Sequence, residues 1–236
     1  MQDILAKVAD RIDFGDGGLK LTALALAALG ALKVANVSLK SVQALLKYFV
    51  LPRMDLTTRY GKGSWAVVTG ASDGLGRQYA TELAAMGFNL VLFGRNQIKL
   101  ELVAAQLYCT YGTKTYEVVH DFSKLWSEKD AQDLQQILEN MWYATGCDIS
   151  VLVNNVGVLP LGPLAESSIE SVGNAINVNV NAQTYMSALI LPYMLARCKE
   201  TGKRCALINI SSKAAFFTRG YMPLYCATKR YNMVLS

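Results

Sequence analysis

Residues 65–76 read WAVVTGASDGLG, an apolar run that leads directly into a turn rich in glycine. The apolar part, 65–69, is typical of a buried strand, and residues 77–86 are typical of a helix that ends at Gly87. Small residues between a strand and a helix let the backbone turn tightly and approach a pyrophosphate, which the positive helix N-terminus stabilises. The position of these glycines, more than their number, predicts the first unit of a dinucleotide-binding fold.

Similar strand and helix patterns follow this unit along the chain. Further strands are predicted at 88–93, 115–119, 149–154 and 205–210, and further helices at 97–111, 124–145 and 168–200, the last with a kink at Pro192. Strands that alternate with helices, and that are mostly apolar, indicate a parallel sheet covered on both faces. The sequence therefore predicts an α/β fold with a Rossmann-type doubly wound parallel sheet.

The residues before this fold, 1–52, form a more apolar segment. Residues 21–39 carry a single charge, Lys33, and just reach the roughly 20 residues that a helix needs to cross a bilayer. Residues 40–51 place lysines among apolar side chains, which is typical of a helix at a membrane surface. We expect 1–52 to be a helical membrane anchor, and a pair of amphipathic helices packed on protein is the alternative. Residues 53–64 are then a linker to a domain at 65–236.

Charge and cysteine usage exclude several classes of site. The net charge is +5, but lysine and arginine are scattered, so nucleic-acid binding is not predicted. Basic residues follow the apolar segment, which places the large domain on the cytosolic side of a membrane. Five cysteines and one histidine show no metal-ligand spacing, which argues against a zinc site and for free thiols in a reducing compartment.

Three strand ends carry candidate cofactor ligands. Arg95 follows the second strand, where folds that prefer NAD usually carry an acidic residue, so its guanidinium suits the 2′-phosphate of NADP(H). A solvated surface arginine is the alternative. Asp121 ends the third strand and either accepts from the adenine amine or caps the next turn with Ser123. The segment VNNVG at 153–157 ends the fourth strand, where its backbone can line a ribose and Asn154 can hold the turn together.

Candidate catalytic residues lie near the C-terminal end of the sequence. Tyr225 and Lys229 are four apart and share one face of a helix, so an ammonium near the phenol favours the phenolate. Ser212 ends the fifth strand, where its hydroxyl can bond a substrate carbonyl. Taken alone, this tyrosine–lysine spacing is also compatible with an ordinary exposed helix face.

Together these motifs resemble the short-chain dehydrogenase/reductase family from about Gly63 to the end of the chain. The matching motifs are TGASDGLG at 69–76, NNVG at 154–157, INVNV at 176–180, NISS at 209–212 and YCATK at 225–229. The resemblance implies that Tyr225 is the general acid/base, and that Lys229 binds the nicotinamide ribose and lowers the tyrosine pKa. It also implies that Ser212 orients the carbonyl and that Asn179 holds a proton-relay water. The residues expected to contact NADP(H) are Gly70, Ser72, Asp73, Gly74, Leu75, Gly76, Arg95, Asp121, Asn155, Tyr225 and Lys229.

Within that family the chain is similar to the branch of very-long-chain 3-oxoacyl-CoA reductases and 17β-hydroxysteroid dehydrogenases. NNVG at 154–157, Arg95 and the apolar N-terminal segment carry this similarity. It implies NADPH-dependent reduction of a 3-oxoacyl-CoA in fatty-acid elongation, or of a steroid ketone. It also implies a location at the endoplasmic reticulum membrane, with a mitochondrial membrane as the alternative.

The sequence departs from the family after Lys229. Family members continue with further helix and two more strands, which also complete the substrate pocket, whereas this sequence stops at Ser236. We expect a fragment of a longer protein; a truncated product and a degenerate relative held in a larger assembly are the alternatives. The predicted function is accordingly an oxidoreductase, and the alternative is a non-catalytic structural or membrane-assembly subunit. A homodimer is possible in either case, because the family commonly pairs through the helix that begins near Tyr225.

Overall fold

A computed structural model describes residues 16–46, 49, 55–125, 127–146, 148–218 and 220–236. The chain divides into two units, Met1–Met54 and Asp55–Ser236. In the first unit helix α1 spans Asp16–Leu45 and exposes apolar side chains such as Leu26 and Leu32. Within the ranges just given, we find no helix whose length and apolar character would together suffice for a membrane crossing. The rest of the predicted anchor, including residues 1–15, lies outside the described residues.

The second unit is built on a five-stranded parallel sheet. Its strands are β1 (Trp65–Thr69), β2 (Asn89–Gly94), β3 (Thr115–Val119), β4 (Ile149–Asn154) and β5 (Ala206–Asn209). They lie in the order β3-β2-β1-β4-β5, and each neighbouring pair is parallel. The order reverses beside β1, and the carboxyl ends of β1 and β4 therefore border the crevice where such folds bind ligands.

Helices cover both faces of this sheet. They are α2 (Leu56–Tyr60), α3 (Gly74–Ala85), α4 (Gln97–Tyr111), α5 (Glu128–Thr145), α6 (Ile169–Ile176), α7 (Ala182–Thr201) and α8 (Pro223–Leu235). Ala66 and Val68 of β1 pack with α3 and α4, while Val67 between them packs with α5 and α7. Side chains alternate between the faces of a strand, so one short strand serves two cores. The predicted doubly wound α/β fold is confirmed.

Three predicted helices differ from the observed ones. The helix predicted at 77–86 begins three residues earlier, at Gly74, after the Asp73 cap. The helix predicted at 124–145 begins at Glu128, because Phe122–Lys124 form a 3₁₀ turn and Ser127 caps the helix reciprocally with Asp130. The helix predicted at 168–200 consists of α6, a π-helical turn at Asn177–Asn181, and α7, which continues through Pro192. Polar side chains at these positions bond to other elements, a contact that sequence periodicity does not record.

Strand β5 is less buried than β4, the strand beside it. Every residue of β4 is buried, whereas all four residues of β5 are only partly buried. In the described sheet β5 pairs with β4 alone. Within the described residues it is therefore the outermost strand on this side of the sheet.

Candidate active site

The turn after β1 approaches the end of β4 closely. Gly70 has a φ of 66°, in the left-handed region that favours glycine, and a Cβ there would lie 3.1 Å from the Val156 Cα. A Cβ on Gly76 would overlap the Gly70 carbonyl and lie 2.5 Å from the Asn155 amide nitrogen. These glycines are needed because the turn, the start of α3 and the end of β4 share one small space.

A threonine and an asparagine hold this junction together. The Thr69 hydroxyl oxygen accepts from the Asn155 backbone N–H at 2.9 Å and from the Val156 N–H at 3.0 Å. The Asn155 side-chain amide donates to the Thr69 carbonyl at 2.9 Å. Asn155 thus fixes the distance between β1 and β4. No role for Thr69 was predicted from the sequence. The available signal was a hydroxyl residue at the end of a strand beside the crevice.

A cleft of about 480 Å³ opens above this junction at the carboxyl ends of the strands. Eight of the predicted cofactor residues line it, namely Gly70, Ser72, Asp73, Gly74, Leu75, Arg95, Asp121 and Asn155. Gly76 is buried in the first turn of α3, where its lack of a side chain leaves room for the Gly70 carbonyl and the Asn155 side chain. The glycine turn and the N-terminus of α3 fit a diphosphate, since backbone N–H groups and the helix dipole favour an anion there.

Two carboxylates, those of Asp73 and Asp121, line the cleft. Asp73 caps α3 by accepting from the Gly74 N–H at 2.8 Å and forms an ion pair with Lys99 at 3.1 Å; the Lys99 bond, then that of Gly74, lowers its pKa. Asp121 accepts from the Ser123 N–H at 3.1 Å, so the cap predicted as one alternative is present. Burial raises the pKa of Asp121, but the bonds from Ser123 outweigh it and the pKa is lowered.

The single histidine also lines the cleft. His120 lies between β3 and Asp121, with its ring edge-on to Phe122 at 4.7 Å between centroids. Its Nε2 is buried and has no hydrogen-bond partner among the described residues. Burial lowers the pKa of His120, since a low-dielectric site disfavours the charged ring. Sequence reasoning did not assign it a role, although a polar residue at a strand end was the available signal.

The catalytic candidates are brought together on the other side of the crevice. Lys229 is buried on α8, and its Nζ donates to the Ile210 carbonyl at 2.9 Å. The same Nζ lies 5.8 Å from the centroid of the Tyr225 ring, so the two side chains share one helix face as predicted. Burial lowers the pKa of Lys229.

Asn179 is fully buried in the π-helical turn and bonds to the loop after β4. Its Oδ1 accepts from the Val158 N–H at 2.8 Å, and its Nδ2 donates to the Val158 carbonyl at 2.9 Å. Nδ2 also donates to the Thr228 hydroxyl at 3.1 Å, which joins the turn to α8. A Cβ on Gly157 would lie 3.3 Å from the Asn179 Oδ1 and 3.4 Å from the Lys229 Nζ. Asn179 and Lys229 therefore flank the same glycine.

Ser212 lies at the end of the segment that follows β5. Its hydroxyl oxygen accepts from the Ala214 N–H at 3.2 Å and caps the 3₁₀ turn Lys213–Phe216. The neighbouring Ser211 donates to the Lys229 carbonyl at 2.6 Å, which ties this segment to α8. Between the described side chains of Ser212 and Tyr225 we find no hydrogen bond. Catalytic bonds often tighten only when substrate is present.

Comparison with known proteins supports one family. The model of the family described as short chain dehydrogenase matches residues 64–234. A very-long-chain 3-oxoacyl-CoA reductase of Pyrenophora tritici-repentis is 31% identical over 98% of this chain and 65% of its own length. A protein of Homo sapiens named inactive hydroxysteroid dehydrogenase-like protein 1 is 34% identical over 88% of this chain and 61% of its own length. The chain thus spans less than two thirds of the length of these relatives.

Solved structures agree with this match. A short-chain dehydrogenase from Sphingobium yanoikuyae in complex with NADPH is 28% identical, with a TM-score of 0.63, and the match covers 73% of this chain and 62% of that one. A short-chain dehydrogenase/reductase from Burkholderia phymatum in complex with NAD is 27% identical, with a TM-score of 0.66, over 75% of this chain and 58% of that one. Fold, sequence motifs and the family match agree. The chain belongs to the short chain dehydrogenase family.

Proposed function

We propose that the protein is an NADPH-dependent oxidoreductase that reduces a ketone on a lipid-like substrate, with a 3-oxoacyl-CoA as the first candidate and a 17-ketosteroid as the second. The observation that carries the proposal is the position of Lys229. Its buried ammonium lies between the Ile210 carbonyl, Gly157 and the Tyr225 ring, beside the cleft that the glycine turn forms. A buried cation aimed at a phenol is suited to acid–base chemistry.

The side chains divide the reaction as follows. A bound nicotinamide supplies the hydride. Tyr225 donates its phenolic proton to the substrate oxygen as negative charge develops there, and Lys229 stabilises the phenolate that is left. The Ser212 hydroxyl donates to the same oxygen and orients the carbonyl. Asn179, fixed by three hydrogen bonds, holds the turn that places a relay water behind Lys229.

NADPH is favoured over NADH by the charge at the end of β2. The exposed Arg95 side chain lines the cleft where an acidic residue would bind the ribose hydroxyls of NAD. A guanidinium suits a 2′-phosphate because it donates two parallel hydrogen bonds with charge assistance. Three solved neighbours hold NADPH or NADP, but one holds NAD, so the arginine is the stronger argument.

A lipid-like substrate is favoured by the loops that border the site. Exposed apolar side chains cluster on the segments after β4 and before α8, namely Leu159, Leu161, Leu164, Phe216, Phe217 and Tyr221. The Gly162 N–H donates to the Tyr221 carbonyl at 2.8 Å, so these two segments touch. An apolar rim of this kind suits an acyl chain or a steroid. Relatives named very-long-chain 3-oxoacyl-CoA reductase favour the acyl-CoA.

The same substrate chemistry supports a membrane location. We place the protein at the endoplasmic reticulum membrane with its catalytic domain in the cytosol, and a mitochondrial membrane is the alternative. Exposed leucines along α1 support contact with lipid. A homodimer or a larger membrane assembly remains part of the proposal.

A second candidate function is that of a non-catalytic subunit. It is favoured by relatives from Pongo abelii and Homo sapiens that are named inactive and are 35% and 34% identical to this chain. Against it stands the full set of Tyr225, Lys229, Ser212 and Asn179 in this sequence. The two functions differ in whether the protein turns over substrate.

The test compares two tyrosines on one helix. NADPH oxidation by the full-length protein is measured with a long-chain 3-oxoacyl-CoA. We expect Tyr225→Phe to lower kcat by about 10²–10⁴-fold, the usual contribution of a general acid. Tyr231→Phe is the matched control, because its hydroxyl bonds Thr184 at 2.8 Å and has no role in the reaction. A wild-type rate no higher than that of Tyr225→Phe would favour the non-catalytic subunit.

A further inference from the structure

We propose that Cys198 and Cys205 form a reversible disulfide that braces strand β5. Cys198 lies in the last turn of α7 and Cys205 directly precedes β5. Their sulfur atoms are 2.9 Å apart, so forming a bond of about 2.05 Å needs a movement of less than 1 Å. The chain reverses between them at Gly202, whose φ is 67°. The reversal holds the two thiols together without any other element.

The surroundings of the two cysteines suit thiols that react when an oxidant is present. Both cysteines are half-buried, which leaves them open to a small oxidant. Burial, and then the neighbouring Cys198, raise the pKa of Cys205 to about 12, so Cys205 keeps its proton at neutral pH. In the proposed sequence of steps Cys198 is oxidised first. The Arg197 guanidinium beside Cys205 opposes the increase in pKa and favours the thiolate when Cys205 reacts.

The remaining described cysteines lack this arrangement. Cys109 is exposed and Cys226 is buried, and neither has a sulfur partner among the described residues. They therefore serve as internal references for the pair.

The chemistry requires a peroxide, and it balances as two successive steps. The Cys198 thiolate attacks one peroxide oxygen, the O–O bond breaks, and an alcohol or water leaves while the sulfur becomes a sulfenic acid. The Cys205 sulfur then attacks the sulfenic sulfur, the S–S bond forms, and the hydroxide leaves as water with the Cys205 proton. Two thiols are oxidised and one peroxide is reduced.

The bond would act on the strand that carries part of the site. Strand β5 has four half-buried residues and pairs with β4 alone in the described sheet. It continues into the Ile210 carbonyl that holds Lys229 and into Ser212. A covalent link at the start of β5 limits movement of this strand relative to the end of α7. The link depends on the geometry of the two cysteines and not on the proposed reaction.

The test oxidises the reduced full-length protein with hydrogen peroxide and maps its thiols by maleimide labelling and peptide mass spectrometry. We expect one linked pair of peptides containing Cys198 and Cys205, lighter by two hydrogens and restored by dithiothreitol. Cys109 and Cys226 stay outside any linked pair. The melting temperature of the oxidised protein should be about 5 °C higher than that of the reduced protein.

Variants identify the bond. Cys198→Ser and Cys205→Ser should each abolish the linked peptides and the shift in melting temperature, while Cys109→Ser leaves both. Cys198 and Cys205 that both remain labelled after oxidation, or that link to other cysteines, would overturn the proposal. A disulfide that forms without any change in melting temperature would contradict the claim that it stabilises β5. The mapping uses the unmutated chain, so the outcome stands even where a variant does not fold.

Discussion

Arg95 follows the last residue of β2, and its exposed side chain shares the cleft with Asp121. The guanidinium contributes to lowering the pKa of Asp121, so the two charges act on each other across the rim. An arginine in this place gives the cleft a positive charge at the position where the ribose of a dinucleotide is read. In the proposed function, the preference for NADPH therefore rests largely on this one residue.

Replacing this residue should separate the two cofactors. We expect Arg95→Ala to raise the Kd for NADPH by about 10–100-fold, because a hydrogen bond between charged groups contributes about 1.5–3 kcal/mol. The Kd for NADH should change by less than about threefold. Titration of the intrinsic fluorescence with each cofactor measures both constants.

Arg77→Ala is the matched control for that titration. Arg77 lies on α3 near the same turn, but its guanidinium bonds the Gln106 side chain at 2.6 Å. It should leave both constants unchanged. Equal weakening of NADPH and NADH binding by Arg95→Ala would mean that Arg95 does not meet the 2′-phosphate.

The candidate site residues could be predicted from the sequence, but their hydrogen-bond partners could not. Tyr225, Lys229 and Ser212 were predicted because short spacings and strand ends place them. The partners of Asn179, which are Val158 and Thr228, come from elements far apart in sequence. Only the folded chain records such contacts. The burial of the His120 Nε2 is likewise visible only in the folded chain.

At the scale of elements, the strands follow directly from the sequence, whereas the starts of the helices predicted at 77–86 and 124–145 do not. Apolar runs bounded by polar turns placed all five strands within one or two residues of the observed ones. The stretch 168–200 was predicted as one helix because a π-helical turn has nearly the same apolar period. The turn exists because Asn177 donates to the Ser123 carbonyl at 3.0 Å and Asn179 bonds Val158. Side-chain bonds to other elements caused the difference.

Helix α7 also holds the beginning of the second unit in place. The buried Arg197 donates to the Asp148 carboxylate at 2.5 Å and to the Tyr60 carbonyl at 2.8 Å, which ties α2 and β4 to α7. Without the Arg197 side chain, the Tyr60 carbonyl and the Asp148 carboxylate would lose this hydrogen-bond donor. The pair is half exposed at Asp148, which reduces its electrostatic contribution.

Arg197→Ala should lower the free energy of unfolding by about 2–4 kcal/mol, from lost hydrogen bonds and packing at a buried site. Urea denaturation followed by circular dichroism measures it. Lys199→Ala, an exposed residue on the same helix, should change it by less than about 0.5 kcal/mol. A loss below 1 kcal/mol for Arg197→Ala would show that the pair does not hold α2.

At the scale of the whole molecule, the layer order was the most predictable feature. Alternating strands and helices admit few topologies once crossovers are right-handed, and the observed order β3-β2-β1-β4-β5 is that of a Rossmann-type sheet, the fold class predicted from the sequence. The two cores on either side of β1 follow from the alternation of Ala66, Val67 and Val68. What the sequence could not supply is the degree of burial of β5, where Ala206, Leu207 and Ile208 are apolar but only half buried.

The single histidine gives the folded molecule a specific dependence on pH. Burial lowers the pKa of His120 below its usual value near 6.5, so the unfolded chain binds the proton more readily than the folded one. Stability should therefore fall as the pH falls from about 6.5 toward the folded pKa. The slope is at most about 1.4 kcal/mol per pH unit for one proton.

Urea denaturation between pH 5 and 7 tests this dependence against His120→Gln, which carries no titrating ring. The variant should lose most of the slope, because Asp73 and Asp121 have lowered pKa values and titrate at more acidic pH. An unchanged slope in His120→Gln would assign the dependence to other groups.

The central claim is that this chain provides the acid–base residues for hydride transfer from NADPH to a lipid-like ketone. The most direct measurement uses the full-length protein, a long-chain 3-oxoacyl-CoA and NADPH in which both hydrogens at C4 of the nicotinamide are replaced by deuterium. We predict a 3-hydroxyacyl-CoA with one deuterium at the former carbonyl carbon, formed in step with NADPH consumed and abolished in Tyr225→Phe. Product without deuterium, or equal product from Tyr225→Phe, would contradict the account.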